Sequence, residues 1–317
     1  MTKKTIVAFD DVALQLGNSG IARFWRELHN AIFEYGVFEE LGIEPKFLSR
    51  TSYKTNFPEA QIDFPKYDFR FPAADRELIS AYCIDQKVEL FVSSYYTFST
   101  ACQNMMIVYD LIPEVFGFNR LNRGWMEREL SFYASRSFFA ISQNTKKDLN
   151  SYYPHTVNHH VGVGYPGIDL HVFKGPQSNV MKQKGKRYFV CVGSRYGEGG
   201  YKNGNLLVNA LRNMDRDSID FDLLFIGGEE LTKDERELVS KGIVKIERLI
   251  LNDKDLIETL VRAEALIYPS KYEGFGMPPL EALSVGTPVI TTSNGSLPES
   301  VGELGISISS NSWEDLA

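Results

Sequence analysis

Cysteine is scarce in this chain: Cys83, Cys102 and Cys191 are the only three in 317 residues. They are odd in number and far apart in sequence, so neither a disulfide framework nor a zinc site can be read from them, and they fit a reducing cytoplasm. No stretch reaches the roughly 18 consecutive apolar residues that suggest a membrane span. The opening, "MTKKTIVAFDD", meets acidic residues after a short apolar run, which is not the form of a secretion signal. The sequence thus predicts a cytoplasmic protein, with peripheral contact at the inner face of a membrane left open. Without a secretion signal, the acceptor-like triplet Asn294–Gly295–Ser296 is read as chance rather than as a glycosylation site. Positive charge is also in deficit. A net charge of -7 opposes broad binding to phosphate backbones and argues against nucleic acid as a partner.

What is present points to a globular α/β protein. Hydrophobic residues make up 43% of the chain and charged ones 24%, with 21 Phe and 16 Tyr to fill cores or stack on ligands. Short apolar runs ending in small or turn residues recur between helical patterns: "TIVAFD", "VELFVSS", "MMIVYD", "FFAIS", then "YFVCVGS", "DLLFIGG", "ALIYPS" and "PVITT". That alternation predicts parallel sheets covered by helices. Near the start, Ile21, Phe24, Trp25, Leu28 and Ile32 form one apolar helical face behind a Ser19 cap. A polar, aperiodic stretch, "KGPQSNVMKQKGK" (Lys174–Lys186), precedes a second strand–loop–helix pattern. The predicted domains are therefore 1–174 and 175–317, two Rossmann-like doubly wound units facing across a cleft.

The stretch "YPSKYEGFGMPPLEALSVGTPVITT" places Glu273 and Glu281 on either side of a Gly, Phe, Met and Pro segment. "ALIYPS" reads as a buried strand and "PPLEALSVG" as a short helix, so Glu273 falls at the carboxyl end of a strand, where open α/β sheets bind ligands. Gly274 and Gly276 leave backbone N–H groups unshielded at a helix N-terminus, which suits a diphosphate. A carboxylate beside such a site makes sense facing something neutral, which points Glu281 to ribose hydroxyls and Glu273 to a sugar beyond the diphosphate.

Ser270, Glu273, Gly274, Phe275, Gly276, Pro278, Glu281, Ala282, Gly286, Pro288 and Val289 match in register the signature of the retaining family 4 glycosyltransferases of the GT-B fold, which the chain resembles. The resemblance implies that Glu273 lies by the donor sugar, Glu281 binds the ribose, and the amides from Gly274 through Phe275 and Gly276 to Met277 hold the diphosphate. It also implies, within "VCVGSRYGEGGYKN", that Arg195 and Lys202 bind the diphosphate after a strand ending at Gly193. "MMIVYDLIP" resembles the family's "HDL-IP" segment, with Tyr109 in place of the histidine and Asp110 beside it. A phenol cannot act as imidazole does near neutral pH, and Asp110 is the candidate general base of a rival, inverting reaction. "LGNSGIARFWREL" resembles the family's N-terminal glycine loop, with Gly20 the expected contact and Arg23 either an anion ligand or a solvated charge. "FFAISQNTKKDLNSYYP" resembles another family stretch, with Ser142 near the cleft and Asp148 and Leu149 structural.

The resemblance implies a retaining hexosyltransferase that uses a nucleotide diphosphate sugar, with GDP-mannose favoured, and a glycan or lipid-linked glycan acceptor. No metal and no cofactor is expected. A GT-B-type nucleotide-sugar epimerase and a non-catalytic nucleotide-sugar or glycan-binding subunit are the alternatives. Family members continue past the strand corresponding to "GISIS" with crossing helices, which are missing from this sequence. Two further motifs fail their own context. "GVGYPG" (Gly162–Gly167) contains Pro166 and leads to no periodic helix, so it is not a dinucleotide loop. His159 and His160 are adjacent in an apparent strand, where neighbours face opposite ways, so they read as structural.

Overall fold

The structure is a computed structural model that describes residues 3–17, 19–119, 121–169, 172–173 and 187–317. Strand β1 (Thr5–Asp10) is "TIVAFD", and four successive residues, Val7, Ala8, Phe9 and Asp10, are buried. Burial of consecutive residues means that both faces of the strand are covered, as in the middle of a parallel α/β sheet. The strands that follow are β2 (Ile43–Ser49), β3 (Gln61–Asp63), β4 (Leu90–Ser93), β5 (Gln103–Val108), β6 (Ser137–Ala140) and β7 (His160–Val163). They form a parallel sheet in the order β3-β2-β1-β4-β5-β6-β7. The second sheet is built from β8 (Arg187–Val192), β9 (Phe221–Ile226), β10 (Lys245–Leu249), β11 (Leu266–Tyr268), β12 (Val289–Thr292) and β13 (Gly305–Ile308). Its order is β10-β9-β8-β11-β12-β13, again parallel.

Each sheet therefore reverses its winding once, between β1 and β4 in the first and between β8 and β11 in the second. Such switch points leave a crevice at the carboxyl ends of the two strands, where ligands bind in open α/β sheets. In the second unit, Val190, Leu266 and Val289 pack on one side with Leu260, Ala282 and Leu297. Their neighbours Cys191 and Ile267 pack on the other with Leu207, Leu211 and Phe225. The expected doubly wound architecture is present in both units.

Three strands were not legible in advance. In β2, "IEPKFLS", Pro45 and two charges interrupt the apolar run; Pro45 pairs with Val7 of β1, while β3 covers only Phe47–Ser49 on the outer side. Proline is tolerated there because that part of β2 lies along the sheet edge. Strand β3 is only three residues, and β10, "KIERL", is an edge strand with alternating charges.

The first helix, Gly20–Glu34, is capped as expected, with Ser19 Oγ accepting from the Ala22 N–H at 3.2 Å. Its fully buried stripe is Ala22, Trp25 and His29, rotated from the predicted face, and Ile21, Phe24, Leu28 and Ile32 are half-buried. A polar contact sets that rotation: the Trp25 indole N–H donates to buried Asp11 Oδ1 at 2.7 Å.

Contacts divide the chain into Met1–Gly167 and Ile168–Ala317. Ile168 and Phe173 belong to the second unit's core, which draws the division earlier than the 174/175 boundary expected from sequence. Lys174–Lys186 lies outside the described residues.

Candidate functional site

The switch point of the second unit gathers the residues of interest. After β8 the chain makes a tight loop in which Lys202 N–H donates to Tyr196 O at 3.0 Å and Gly204 N–H to Arg195 O at 2.7 Å. A Cβ at Gly204 would sit 2.7 Å from that same carbonyl, so only glycine allows the approach. Asn203 takes the left-handed conformation (φ 63°), and its Nδ2 donates to Pro269 O at 3.1 Å and Ser310 O at 2.9 Å. The loop is also joined to the end of β11 by Lys271 N–H donating to Tyr201 O at 2.7 Å. The "KN" pair thus places Lys202 over the carboxyl end of β11.

There Lys202 Nζ donates to Glu273 Oε1 at 2.7 Å and to Tyr268 Oη at 3.0 Å, and lies 5.1 and 5.3 Å from the ring centroids of Tyr201 and Tyr268. Burial disfavours the ammonium, but the Glu273 carboxylate and the two tyrosines outweigh it and hold the Lys202 pKa well above its ordinary value. The structure therefore unites two residues that the sequence nominated separately. Tyr268 and Tyr201 went unnoticed, because an aromatic in "ALIYPS" reads as core; its place as the last residue of a switch-point strand was the available signal.

Glu273 is held from behind by main-chain contacts. Its carbonyl accepts the Ser296 hydroxyl at 2.8 Å. Ser296 is fully buried, which gives the "NGS" triplet a structural use. Gly276 precedes the helix Met277–Ser284 with φ 94°, and a Cβ there would lie 2.9 Å from Leu297 Cδ2. Pro278 and Pro279 have no N–H, so the amides at this helix start come from Gly276 and Met277. Gly274 and Phe275 are buried, and Glu281, on the helix, is only 5% exposed. Gly193, at the end of β8, has φ 87° and open space where a Cβ would stand.

Arg195, expected on the diphosphate, forms an internal ion pair: Nε donates to Glu235 Oε1 at 2.8 Å and Nη2 to Glu235 Oε2 at 3.2 Å. Nη2 also reaches the Glu229 and Glu230 carbonyls, and the guanidinium lies 4.2 Å from the Phe225 ring centroid. Glu235 is itself fixed in the capping box of the helix Lys233–Ser240. The guanidinium thus holds the loop, and its buried Nη1 lacks a hydrogen-bond partner.

In the first unit, Tyr109 is buried and its hydroxyl donates to Ser94 O at 3.0 Å; burial pushes its pKa far up. Asp110 is half-buried, and its Oδ1 accepts the Ile112 N–H at 3.0 Å, while Arg128 donates to its carbonyl. Gly20 is exposed at the first turn of its helix and Arg23 is half-buried in the same turn. Ser142 is a buried cap that accepts from Thr145 N–H at 2.9 Å. Asp148 accepts from Asn144, and Leu149 is core, so both are structural as read. After β7 no helix follows "GVGYPG" among the described residues, and His160 begins that strand. Among the described residues no group of His, Cys, Asp and Glu could hold a metal, and no helix is long and apolar enough to cross a membrane.

A network missed in the sequence lies at the switch point of this unit. Fully buried Arg50 is gripped by Asp10 at 2.6 and 2.9 Å and by Asp75 at 2.6 and 3.0 Å, and Thr97 donates to Asp10 at 2.6 Å. Beside it, burial pushes the Asp11 carboxyl up to about 8 and the His29 imidazole down to about 3. The signal was the pair Asp10–Asp11 closing a buried strand, which needs a cation from elsewhere in the fold.

Residues 177–317, less than half of the chain, match the family described as "Glycosyl transferases group 1". Over 54 residues the chain is 50% identical to O-antigen chain mannosyltransferase B of Escherichia coli, which covers 17% of this chain and 14% of that protein. Over 55 residues it is 46% identical to an MMP alpha-(1->4)-mannosyltransferase of Mycolicibacterium hassiacum, covering 17% and 13%. The matched segments are thus about a seventh of these relatives' length. Among solved structures, sucrose-phosphate synthase of Thermosynechococcus elongatus superposes with a TM-score of 0.71 at 16% identity, over 99% of this chain and 88% of that one. The fold is that of the GT-B glycosyltransferases.

Proposed function

We propose that the chain transfers a hexose from a nucleotide diphosphate sugar to a glycan or lipid-linked glycan, with retention of configuration and without a metal. The observation that carries this reading is Lys202, a largely buried cation held by Glu273 and Tyr268 at the switch point of the second sheet. A departing diphosphate develops charge that needs preorganised donors. Lys202 and the Gly276 and Met277 amides supply them, Glu281 takes the ribose, and Glu273 accepts hydroxyl hydrogen bonds from the sugar. Mannose as the sugar is supported by the mannosyltransferases among the relatives. For the acceptor, the first unit offers an open groove of about 560 Å³ at the carboxyl ends of β2 and β3, lined by Thr51, Ser52, Asp63, Phe64 and Lys66.

The test is to incubate the chain with GDP-α-mannose and mannose-terminated oligosaccharides, with and without a chelator, and to read the product anomer by NMR. An α-linked product that survives chelation supports the reading. A β-linked product moves the central role to Asp110 as base, and loss of activity with chelator removes the metal-free assignment.

A further inference from the structure

Lys202 has two hydrogen-bonded side-chain partners, and they are anchored differently. Tyr268 is the last residue of β11; it pairs with Thr291 of β12, and the Thr291 hydroxyl donates to its carbonyl at 2.8 Å. Tyr268 is buried in the core cluster that contains Leu266, Ala282 and Leu297. Glu273 comes after that strand, on the loop before the helix Met277–Ser284. An ammonium carries three N–H donors on a flexible four-carbon stem. Here one goes to Glu273 Oε1 at 2.7 Å and one to Tyr268 Oη at 3.0 Å. A single anchor would leave the other two N–H groups free to turn about that bond, whereas two anchors fix where the third one points. Burial and the Glu273 carboxylate hold the Tyr268 phenol well above its ordinary pKa, so its hydroxyl is a neutral acceptor that adds no charge to repel an anionic ligand.

We infer that Tyr268 is a positioning residue: its hydroxyl aims the remaining Lys202 N–H at the outer phosphate of a nucleoside diphosphate and so sets a preference for diphosphates over monophosphates. The inference rests on the proposed donor site, in which Glu273 meets the sugar. Lys202 lies 2.7 Å from Glu273, so the phosphate within its reach is the one that carries the sugar, and a nucleoside monophosphate has no such group. The Lys202 side chain reaches the surface, at 16% exposure, while Tyr268 is buried. A ligand therefore meets the ammonium, and Tyr268 acts through it. A donor already aimed loses little freedom on binding, whereas one free to turn must first be ordered by the ligand. Phenylalanine at position 268 keeps the ring 5.3 Å from Nζ, and the Tyr201 ring at 5.1 Å and the bond to Glu273 are untouched. Tyr268→Phe thus removes the aim and leaves the packing and the charge.

The full chain and its Tyr268→Phe variant are titrated calorimetrically, at one pH, with GDP and GMP, UDP and UMP, and ADP and AMP. The wild type is expected to bind one of these pairs, the diphosphate more tightly than the monophosphate. Tyr268→Phe is expected to lose about tenfold in affinity for that diphosphate and to keep its monophosphate affinity within about twofold, because only the hydrogen bond to the outer phosphate changes. A role in stability alone would weaken both nucleotides together. An unchanged ratio of the two affinities, or an equal loss in both, overturns the inference and leaves the donor site standing. So does a Tyr268→Phe chain that fails to fold by native circular dichroism, since the hydroxyl then serves stability. A wild type that binds none of the six nucleotides, or binds each diphosphate no better than its monophosphate, overturns the proposed donor site and the inference with it.

Discussion

Lys202 Nζ lies 2.7 Å from Glu273 Oε1, and both side chains are largely buried, at 16% and 9% exposure. Removing one partner of such a pair strands a charge, at a cost of about 3–5 kcal/mol, whereas replacing both with apolar groups is often neutral. Glu273→Leu and Lys202→Met are therefore each expected to destabilise the chain by about 3 kcal/mol, and the double variant to recover most of that loss. Urea unfolding of the four proteins checks this. None of the three variants is expected to transfer sugar, because stability returns without the charges.

Gly276 combines φ 94° with a Cβ position 2.9 Å from Leu297. Gly276→Ala is expected to cost about 1–3 kcal/mol, the usual range for forced backbone strain. The same change displaces the amides at the start of the helix Met277–Ser284, so nucleotide affinity should fall beyond what the folded fraction explains. Calorimetric titration at a temperature where the variant is fully folded checks this.

Arg195→Met leaves Glu235 without its cation in a buried place. The expected loss is about 3 kcal/mol of stability, with nucleotide affinity of the folded protein unchanged. A fall in affinity of more than tenfold at full folding would return Arg195 to the donor site.

Asp11 and His29 give the stability a defined pH profile. Unfolded, they titrate near 3.8 and 6.5; folded, near 8 and 3. Between pH 3.8 and 6.5, folding takes up a proton at Asp11 and releases one at His29, so their contributions to the slope cancel. From pH 6.5 to 8 only the uptake at Asp11 remains, and stability falls as pH rises. From pH 3.8 down to 3 only the release at His29 remains, and stability falls as pH drops. The upper window of about 1.5 pH units corresponds to about 2 kcal/mol. Asp11→Asn keeps an acceptor for Trp25 and should flatten that upper fall, as measured by urea unfolding across the window.

The sequence disclosed what depends on local pattern. The "TIVAFD" and "ALIYPS" runs, the Ser19 cap and the glycine-to-proline helix start each announce themselves within a few residues, and the position of Glu273 follows from them; Lys202 is nominated by the family resemblance. What stayed hidden depends on partners far along the chain. Arg195 looked free for a ligand because Glu235 is 40 residues away; Arg50 gave no sign of Asp10, also 40 residues away, or of Asp75. Tyr268 read as apolar filling because its hydroxyl partner, Lys202, comes from a loop 66 residues earlier.

The central claim is that the second unit grips a nucleotide diphosphate sugar through Lys202, and thermal unfolding with a panel of nucleotide sugars tests it most directly. A ligand present at about 100 times its Kd and bound only by the folded state adds about 2.7 kcal/mol of stability. The account predicts a clear rise in Tm with one nucleotide class, GDP-mannose first, and no rise for the Lys202→Met, Glu273→Leu double variant. No rise with any nucleotide sugar, or an equal rise in the double variant, would contradict it.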